Sequence, residues 1–339
     1  MKTLSDFQEN ELIDRITRRT HSHFSGGRLI QGIGDDCAVL RKNTGQVFLI
    51  STDAMVEGTH FTRDTLPAQA LALKSLVANL SDIAAMGGTP EGILLSLGLP
   101  KATPVDWLDD FAKGLRQGLR RYRISLMGGN FARTARRVFV SITVMGTQSP
   151  KLVKYRSMAK GGDVIALTGP VGDSKAGLHL LEGRIRLTHP WQRRLVAAHQ
   201  TPAAHLAQGM WLSKQPEVHA MMDVSDGLYV DIQNLMRASR VGARVDLDAL
   251  PISRDLATAA KVWGWKARRL ALEGGEDYVL LLAIDAQKFP AIQKAFNARF
   301  VHPLTPIGKI VASRLLSLCE DGKPFLKTPR PFSHYRSQS

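Results

Sequence analysis

Gly32–Leu40, GIGDDCAVL, and Gln46–Thr52, QVFLIST, decide the fold. Both are strand-like runs, the second an apolar stretch. The second ends on Ser51-Thr52-Asp53, a polar step straight off a strand. Outward from this pair, Glu9–Arg19 reads as a short helix. Ala68–Met86 reads as a long one, with Pro67 in its first turn and Gly87-Gly88 as its stop. Ile93–Leu99 reads as a strand, Val105–Tyr122 as a helix and Val138–Met145 as a strand. The breaker-rich stretch Gly146–Pro150 places a domain boundary there, giving an N-terminal domain over 1–148 and a C-terminal domain over 149–339. Beyond it, DVIALTG is a strand opening into the loop Gly169–Gly172, and a helix runs from Ser174. Helices are expected at Pro190–Gln200, Thr201–Leu212 and Gly227–Ser239, and strands at Ala220–Val224 and Val279–Ile284. Strands and helices alternate in both halves, so the fold class is α/β or α+β, layered, in each.

The 339 residues suit about two domains of common size. An apolar share of 44% and a charged share of 22% are those of a globular chain, not a disordered one. No apolar run approaches the ~20 residues that span a bilayer. The start, MKTLSDFQENELIDRI, lacks the basic and then apolar order of a secretory signal. Two cysteines, Cys37 and Cys319, make no disulfide framework, so a reducing, cytoplasmic setting is expected, with no membrane partner. The net charge is +15, of which residues 149–339 carry 27 basic against 16 acidic side chains. Nucleic acid is one reading of that excess. The Arg pairs are scattered without aromatic platforms, however, so a solvated basic surface or a phosphate-rich substrate fits better.

Strong catalytic signatures are missing. There is no GxxxxGK[ST], HExxH or GxSxG, and the ten histidines stand singly. What the chain has instead is acids at strand ends and beside glycines. They are Asp35-Asp36, Asp53, Asp82 inside an apolar helix, Asp223 and Asp226 flanking Val224-Ser225, and Glu276-Asp277 after Gly274-Gly275. A carboxylate is rarely buried unless paired or holding a metal, and all-oxygen ligands suit Mg²⁺ beside phosphates. Each has a plainer alternative. Asp35 and Asp36 could be turn residues, Asp226 a helix N-cap, and Asp82 a core residue tied to a lysine or the backbone.

These residues resemble a known family. GIGDDCAVL, STDAMVEGTHF, ALKSLVANLSDIAAMGG, MGGN, RSMAKGGD, LTGPVGDSKAGL, MDVSDGLYVDI and LEGGEDYVLLL follow the order and spacing of the thiamine-monophosphate kinases. That family belongs to the aminoimidazole ribonucleotide synthetase-like superfamily. The resemblance implies a two-domain fold, an N-terminal domain that joins a second copy in a barrel-like homodimer, and a cleft between the domains. It also implies a phosphotransferase with a phosphate group as acceptor, making thiamine diphosphate from thiamine monophosphate and ATP by direct in-line transfer. Carried over by motif, Asp36, Ser51, Thr52, Asp53, Asp82, Asn130, Asp223 and Asp226 are implied as Mg²⁺ ligands. Gly129, Asn130, Arg156 and Ser225 are implied as ATP contacts, and His60, Glu276 and Phe332 as contacts to thiamine. No acid–base residue is required, because an attacking phosphate oxygen is already ionised.

Two departures stand out. The family's GGDTT is here Gly128-Gly129-Asn130-Phe131-Ala132, and the C-terminal run is Pro331-Phe332-Ser333-His334-Tyr335. Two alternatives remain at this point. One is another ATP-using member of the same superfamily; the other is a non-catalytic binder of nucleotide or thiamine phosphate whose metal site has eroded at Asn130.

Overall fold

The computed structural model describes residues 9–20, 28–43, 45–326 and 329. Along the chain come α1 (Glu9–Thr20), β1 (Leu29–Gln31), β2 (Ala38–Arg41), β3 (Val47–Val56), α2 (Ala68–Ala85), β4 (Thr89–Pro100), α3 (Val105–Tyr122), β5 (Ser125–Thr134) and β6 (Phe139–Gln148). The second half holds β7 (Val164–Leu167), α4 (Asp173–Glu182), α5 (Pro190–Gln200), α6 (Leu206–Ser213), β8 (Val218–Asp223), α7 (Leu228–Ser239) and β9 (Gly242–Asp246). It continues with α8 (Arg254–Trp263), α9 (Ala267–Glu273), β10 (Leu280–Ile284), α10 (Phe289–Asn297), β11 (Thr305–Val311), β12 (Leu316–Glu320) and β13 (Lys323–Pro324).

The first six strands form one sheet in the order β1-β2-β3-β6-β4-β5, and the rest form a second in the order β13-β12-β9-β11-β7-β10-β8. Pairing is antiparallel except between β4 and β5 and between β9 and β12. Valines and isoleucines of alternate positions on β6 (Val140, Ile142, Val144) are fully buried beneath α2, while their neighbours are half-buried. That period of two is the signature of a sheet with one covered face.

α2 is the exception to amphipathic economy. Apart from Gln69 and Asp82 its residues are all buried, from Ala68 to Ala85. It packs on β3, β6 and α3 within the first half and on α5, α6 and β8 of the second. A helix apolar on every side is a core helix, and here it is shared by both halves. Its end follows the expected glycines: Gly87 takes φ 71°, and a Cβ on Gly88 would strike the Leu49 side chain at 2.4 Å.

Several elements differ from the sequence reading. Of GIGDDCAVL only Ala38–Leu40 is strand, within β2; Gly32–Cys37, with Gly34 at φ 117°, forms the turn that carries Asp35 and Asp36. MGGN lies within a full strand, β5, whose glycines hid the β pattern. Gly129 is needed there, since a Cβ would fall 2.0 Å from the Leu95 carbonyl oxygen on β4. β4 begins at Thr89 rather than Ile93, because Thr89 already faces Thr147 on β6. The helix expected from Thr201 starts only at Leu206, since Pro202 biases Thr201 away from helical geometry.

Candidate active site

The polar step at the end of QVFLIST is where the site begins. On β3, Ser51 and Asp53 point to the α2 face, and Thr52 points to the other. The Ser51 hydroxyl donates to Asp82 Oδ2 at 2.5 Å, and the Asp53 backbone N–H donates to Asn79 Oδ1 at 3.1 Å. The Thr52 hydroxyl donates instead to the Ile142 carbonyl at 3.1 Å and accepts from Thr143. One strand therefore ties Ser51 to α2 through its side chain and Asp53 through its backbone, and turns the Thr52 hydroxyl away.

Asp36, in the turn before β2, Asp82, on the last turns of α2, and Asp223, the final residue of β8, converge. One carboxylate oxygen of each lies within 4.8 Å of the others. Asp223 is further held by the Ser81 hydroxyl at 2.7 Å. Buried among one another, these acids resist ionisation. Burial raises the pKa of Asp223 to about 8, with Asp36 adding to it. Burial also pushes Asp82 well above the usual carboxylate range, followed by repulsion from Asp53 and Asp223. Asp36 is raised by burial as well, against the pull of Arg156. Such a set gains most from a fixed cation.

Among the described residues, Arg156 is the cation paired with this cluster. Its guanidinium pairs with Asp36, and its backbone N–H donates to Asp35 at 3.2 Å. Burial works against its charge, but Asp36 and Asp35 outweigh that and raise its pKa. One guanidinium cannot complete the cluster: Asp36 Oδ2 is buried with no hydrogen-bond partner, and so is Arg156 Nε. Three converging carboxylates with an orphaned oxygen are a donor set of hard oxygens, which fits a divalent cation such as Mg²⁺.

The loop after β8 completes this wall. Asp226 precedes Gly227, and α7 carries no side-chain cap, so the N-cap alternative for Asp226 is not what the chain adopts. The Ser225 N–H donates to the buried carboxylate of Asp231 at 3.2 Å, and the Ser225 carbonyl accepts from Glu276 N–H at 2.8 Å. Gly275 permits that approach, since a Cβ there would sit 2.5 Å from the Ser225 carbonyl. Nor is Asp82 tied to a lysine as a core residue; its partner is Ser51.

Glu276 heads a second cluster. Its Oε2 accepts from Lys74 Nζ at 2.8 Å, and Lys74 also lies 3.3 Å from His199 Nδ1. Burial lowers the pKa of Lys74 while Glu276 opposes it. For Glu276, the cost of burial is outweighed by Lys74, then His199, and its pKa is lowered; His60 contributes to the same effect. His199 is held neutral, its pKa lowered to about 3 by burial and Lys74. His60 Nδ1 accepts from Val56 N–H at 3.0 Å, which fixes the ring over the end of β3. Asp277 turns the other way and receives Gly172 N–H at 2.7 Å and Ser174 N–H at 3.3 Å, tying the start of α4 to this loop.

Two expected residues stand apart. Gly129 and Asn130 lie on exposed β5, separated from β3 by β4 and β6, which is three strand spacings or about 14 Å. Phe332 lies outside the described residues. The sequence reading missed Lys74, Asn79, Ser81, His199 and Asp231. Lys74 carries the signal that singled out Asp82, a charge inside an apolar helix, and could have been read with it.

Comparison with known proteins follows the same geometry. Residues 34–148 match the family of AIR synthase related protein, N-terminal domain, and residues 160–318 its C-terminal domain. Thiamine-monophosphate kinase of Escherichia coli (strain K12) is 37% identical over 90% of this chain and 91% of its own length. That of Buchnera aphidicola subsp. Schizaphis graminum is 33% identical over 97% and 99%. The chain belongs to the thiamine-monophosphate kinase family.

Solved structures agree at the level of the whole fold. AaThiL complexed with AMPPCP and TMP superposes with a TM-score of 0.84 at 28% identity, covering 97% of this chain and 98% of the other. Thiamine-monophosphate kinase from Stenotrophomonas maltophilia K279a gives 0.74 at 32% identity over 94% and 98%. The two-domain AIR synthase-like fold expected for the family is the fold found.

Proposed function

We propose that this member of the family transfers the γ-phosphoryl group of ATP to thiamine monophosphate, giving thiamine diphosphate and ADP. The observation that carries the reading is the convergence of Asp36, Asp82 and Asp223, with the orphaned oxygen on Asp36. Two anionic phosphates must be brought together in line, and the barrier is mostly positioning and charge.

Asp36, Asp82 and Asp223 would hold Mg²⁺, with Ser51, Asp53 and Asp226 beside them, and Thr52 through its backbone alone. Bound there, the cation supplies neutralisation of phosphate charge. Arg156 steadies Asp36 and offers its buried Nε to an anionic oxygen. Ser225, fixed by Asp231, faces the nucleotide. His60 and Glu276 form the thiamine side, joined by Phe332. No residue is asked to act as acid or base.

Homodimer formation belongs to this proposal. Every residue from Ser125 to Arg133 on the edge strand β5 is exposed, with Leu126, Met127 and Phe131 each about half or more open. An uncovered apolar edge invites a partner, and a second copy closes it symmetrically. It is also the route by which Gly129 and Asn130, remote from the acids within one chain, would meet a nucleotide. Among the described residues no helix is long and apolar enough to cross a membrane, and a cytoplasmic setting is proposed with the domain boundary at 148/149.

Purified protein with ATP, Mg²⁺ and thiamine monophosphate should form thiamine diphosphate and ADP in equal amounts. ATP turnover that is independent of thiamine monophosphate, or none at all, overturns the assignment. Light scattering should report a dimer at micromolar concentration; a fully active monomer contradicts the second half of the proposal.

A further inference from the structure

Lys74 is a buried ammonium that the reaction, as described so far, does not use. It is wholly inaccessible, it sits in the first half of a helix from the N-terminal half, and its polar partners, Glu276 and His199, belong to the C-terminal half. We propose that Lys74 is a positioning residue for the acceptor substrate: it clamps one oxygen of Glu276, and so presents the other to the ring end of thiamine monophosphate. This rests on the function proposed above and deepens it.

The geometry supports a clamp more than a simple tie between domains. Lys74 Nζ meets Glu276 at Oε2 only, at 2.8 Å, while the Glu276 side chain remains 29% exposed. A carboxylate accepts at both oxygens, so Oε1 keeps its capacity for a donor arriving from the cleft. The second contact of Lys74, His199, is itself anchored, with Ser174 Oγ 3.2 Å from Nδ1 at the start of α4. Glu276 adopts φ 64° and Tyr278 φ 53°, backbone values that side chains other than glycine rarely take. Strain of that kind persists where surrounding contacts hold it, and here Glu276 N–H donates to the Ser225 carbonyl and Tyr278 N–H to the Val224 carbonyl, fixing the backbone that carries the carboxylate.

The donor class follows from this chemistry. A fixed, ionised carboxylate oxygen beside His60 accepts an N–H well and rejects another anion. The aminopyrimidine of thiamine carries such an N–H, and its phosphate is the anion to be kept at the other end. α2 sets the distance between the two ends. Lys74 and Asp82 are eight residues apart on one unbroken helix, about 12 Å by helical rise. The same rod therefore gauges ring end against phosphate end, a span comparable to an extended two-ring phosphate ester.

The test is a double-mutant cycle read by steady-state kinetics. Lys74→Met, matched in length and apolar, should raise KM for thiamine monophosphate at least tenfold and leave KM for ATP within about twofold. Glu276→Gln should do the same. Adding Lys74→Met to Glu276→Gln should change KM for thiamine monophosphate little further, because Lys74 acts through that carboxylate. The double variant also removes both charges together, so it keeps the test open should Lys74→Met alone fold poorly. Fully additive effects overturn the inference, as does a Lys74→Met that raises KM for both substrates alike, which would mark a general tie between domains. A wild-type chain that does not phosphorylate thiamine monophosphate breaks the proposed function and this inference together. A wild type that does so, with Lys74→Met indistinguishable from it, breaks the inference alone.

Discussion

The two charged sites on α2 are built on opposite principles. Toward its start, Lys74 is buried with its counter-ion in place, Glu276 at 2.8 Å; the pairing holds Glu276 below its ordinary pKa and opposes the lowering that burial imposes on Lys74. Toward its end, Asp82 is buried among acids, with a serine and no lysine against it. One end is finished by the chain itself; at the other, Arg156 pairs with Asp36, while burial holds Asp82 and Asp223 above the usual carboxylate range. The comparison teaches where to look for chemistry. A satisfied buried ion pair sets position, whereas an unsatisfied one sets demand for a ligand.

The largest effect should come from breaking the unfinished end. Asp82→Asn keeps an oxygen for Ser51 and removes a charge from the cluster. Turnover should fall by more than the ~10–100-fold typical of outer metal partners, since Asp82 would be a direct ligand. The metal-free protein should melt higher than wild type, because repulsion with Asp53 and Asp223 is relieved. Near-normal turnover would return Asp82 to a purely structural role. The same change of acid to amide at the finished end should have the opposite sign for stability. Glu276→Gln leaves Lys74 buried without its counter-ion, at a cost of about 3 kcal/mol in denaturant unfolding. If both variants shift stability in the same direction, the distinction between the two ends is lost.

The pH dependence sharpens the contrast more gently. Asp223 is raised to about 8 and Asp35 to about 7, each first by burial. Between the ordinary carboxylate value near 4 and those values, the folded state holds protons that the unfolded state has released. Stability without metal is therefore full at low pH and is lost as pH rises through about 7 to 8, at up to roughly 1.4 kcal/mol per pH unit for each group. Melting in a chelator should show this decline from pH 5.5 to 8.5. Added Mg²⁺, which binds the ionised form, should stabilise most at the alkaline end. A chelated protein that grows more stable across this range contradicts the raised values.

Much of this was legible in the residues because strands and acids announce themselves locally. QVFLIST and the Asp53 step, SDIAA within an apolar run and MDVSDG each carried period and polarity together, and their side chains meet. What escaped was set by contacts distant in sequence. β5 has glycines where a strand should show branched residues, and only its partner β4 makes sense of Gly129. Thr52 sits in the right motif, yet strand alternation turns its hydroxyl to the far face. Lys74 stands out as a charge inside an apolar helix, but its partners, Glu276 and His199, lie 202 and 125 residues away, so the sequence does not show what it pairs with.

The smallest effect is expected at Asn130, where the family's acid has become an amide. Hard cations favour anionic oxygen, so Asn130→Asp should lower the Mg²⁺ needed for half-maximal turnover, by a few-fold. Strand order limits where that gain can appear. Within one chain β5 is three strands from β3, and the triad of Asp36, Asp82 and Asp223 is complete without it. Stabilisation by Mg²⁺ alone, without nucleotide, should therefore be the same in Asn130→Asp as in wild type. The variant should differ only when ATP is present and a second copy brings β5 to the phosphates. Two titrations decide it, one of melting temperature against Mg²⁺ and one of rate against Mg²⁺ at saturating ATP. A change in the first would place Asn130 in the triad's own coordination sphere, contrary to the strand order. No change in either would remove Asn130 from the metal site altogether.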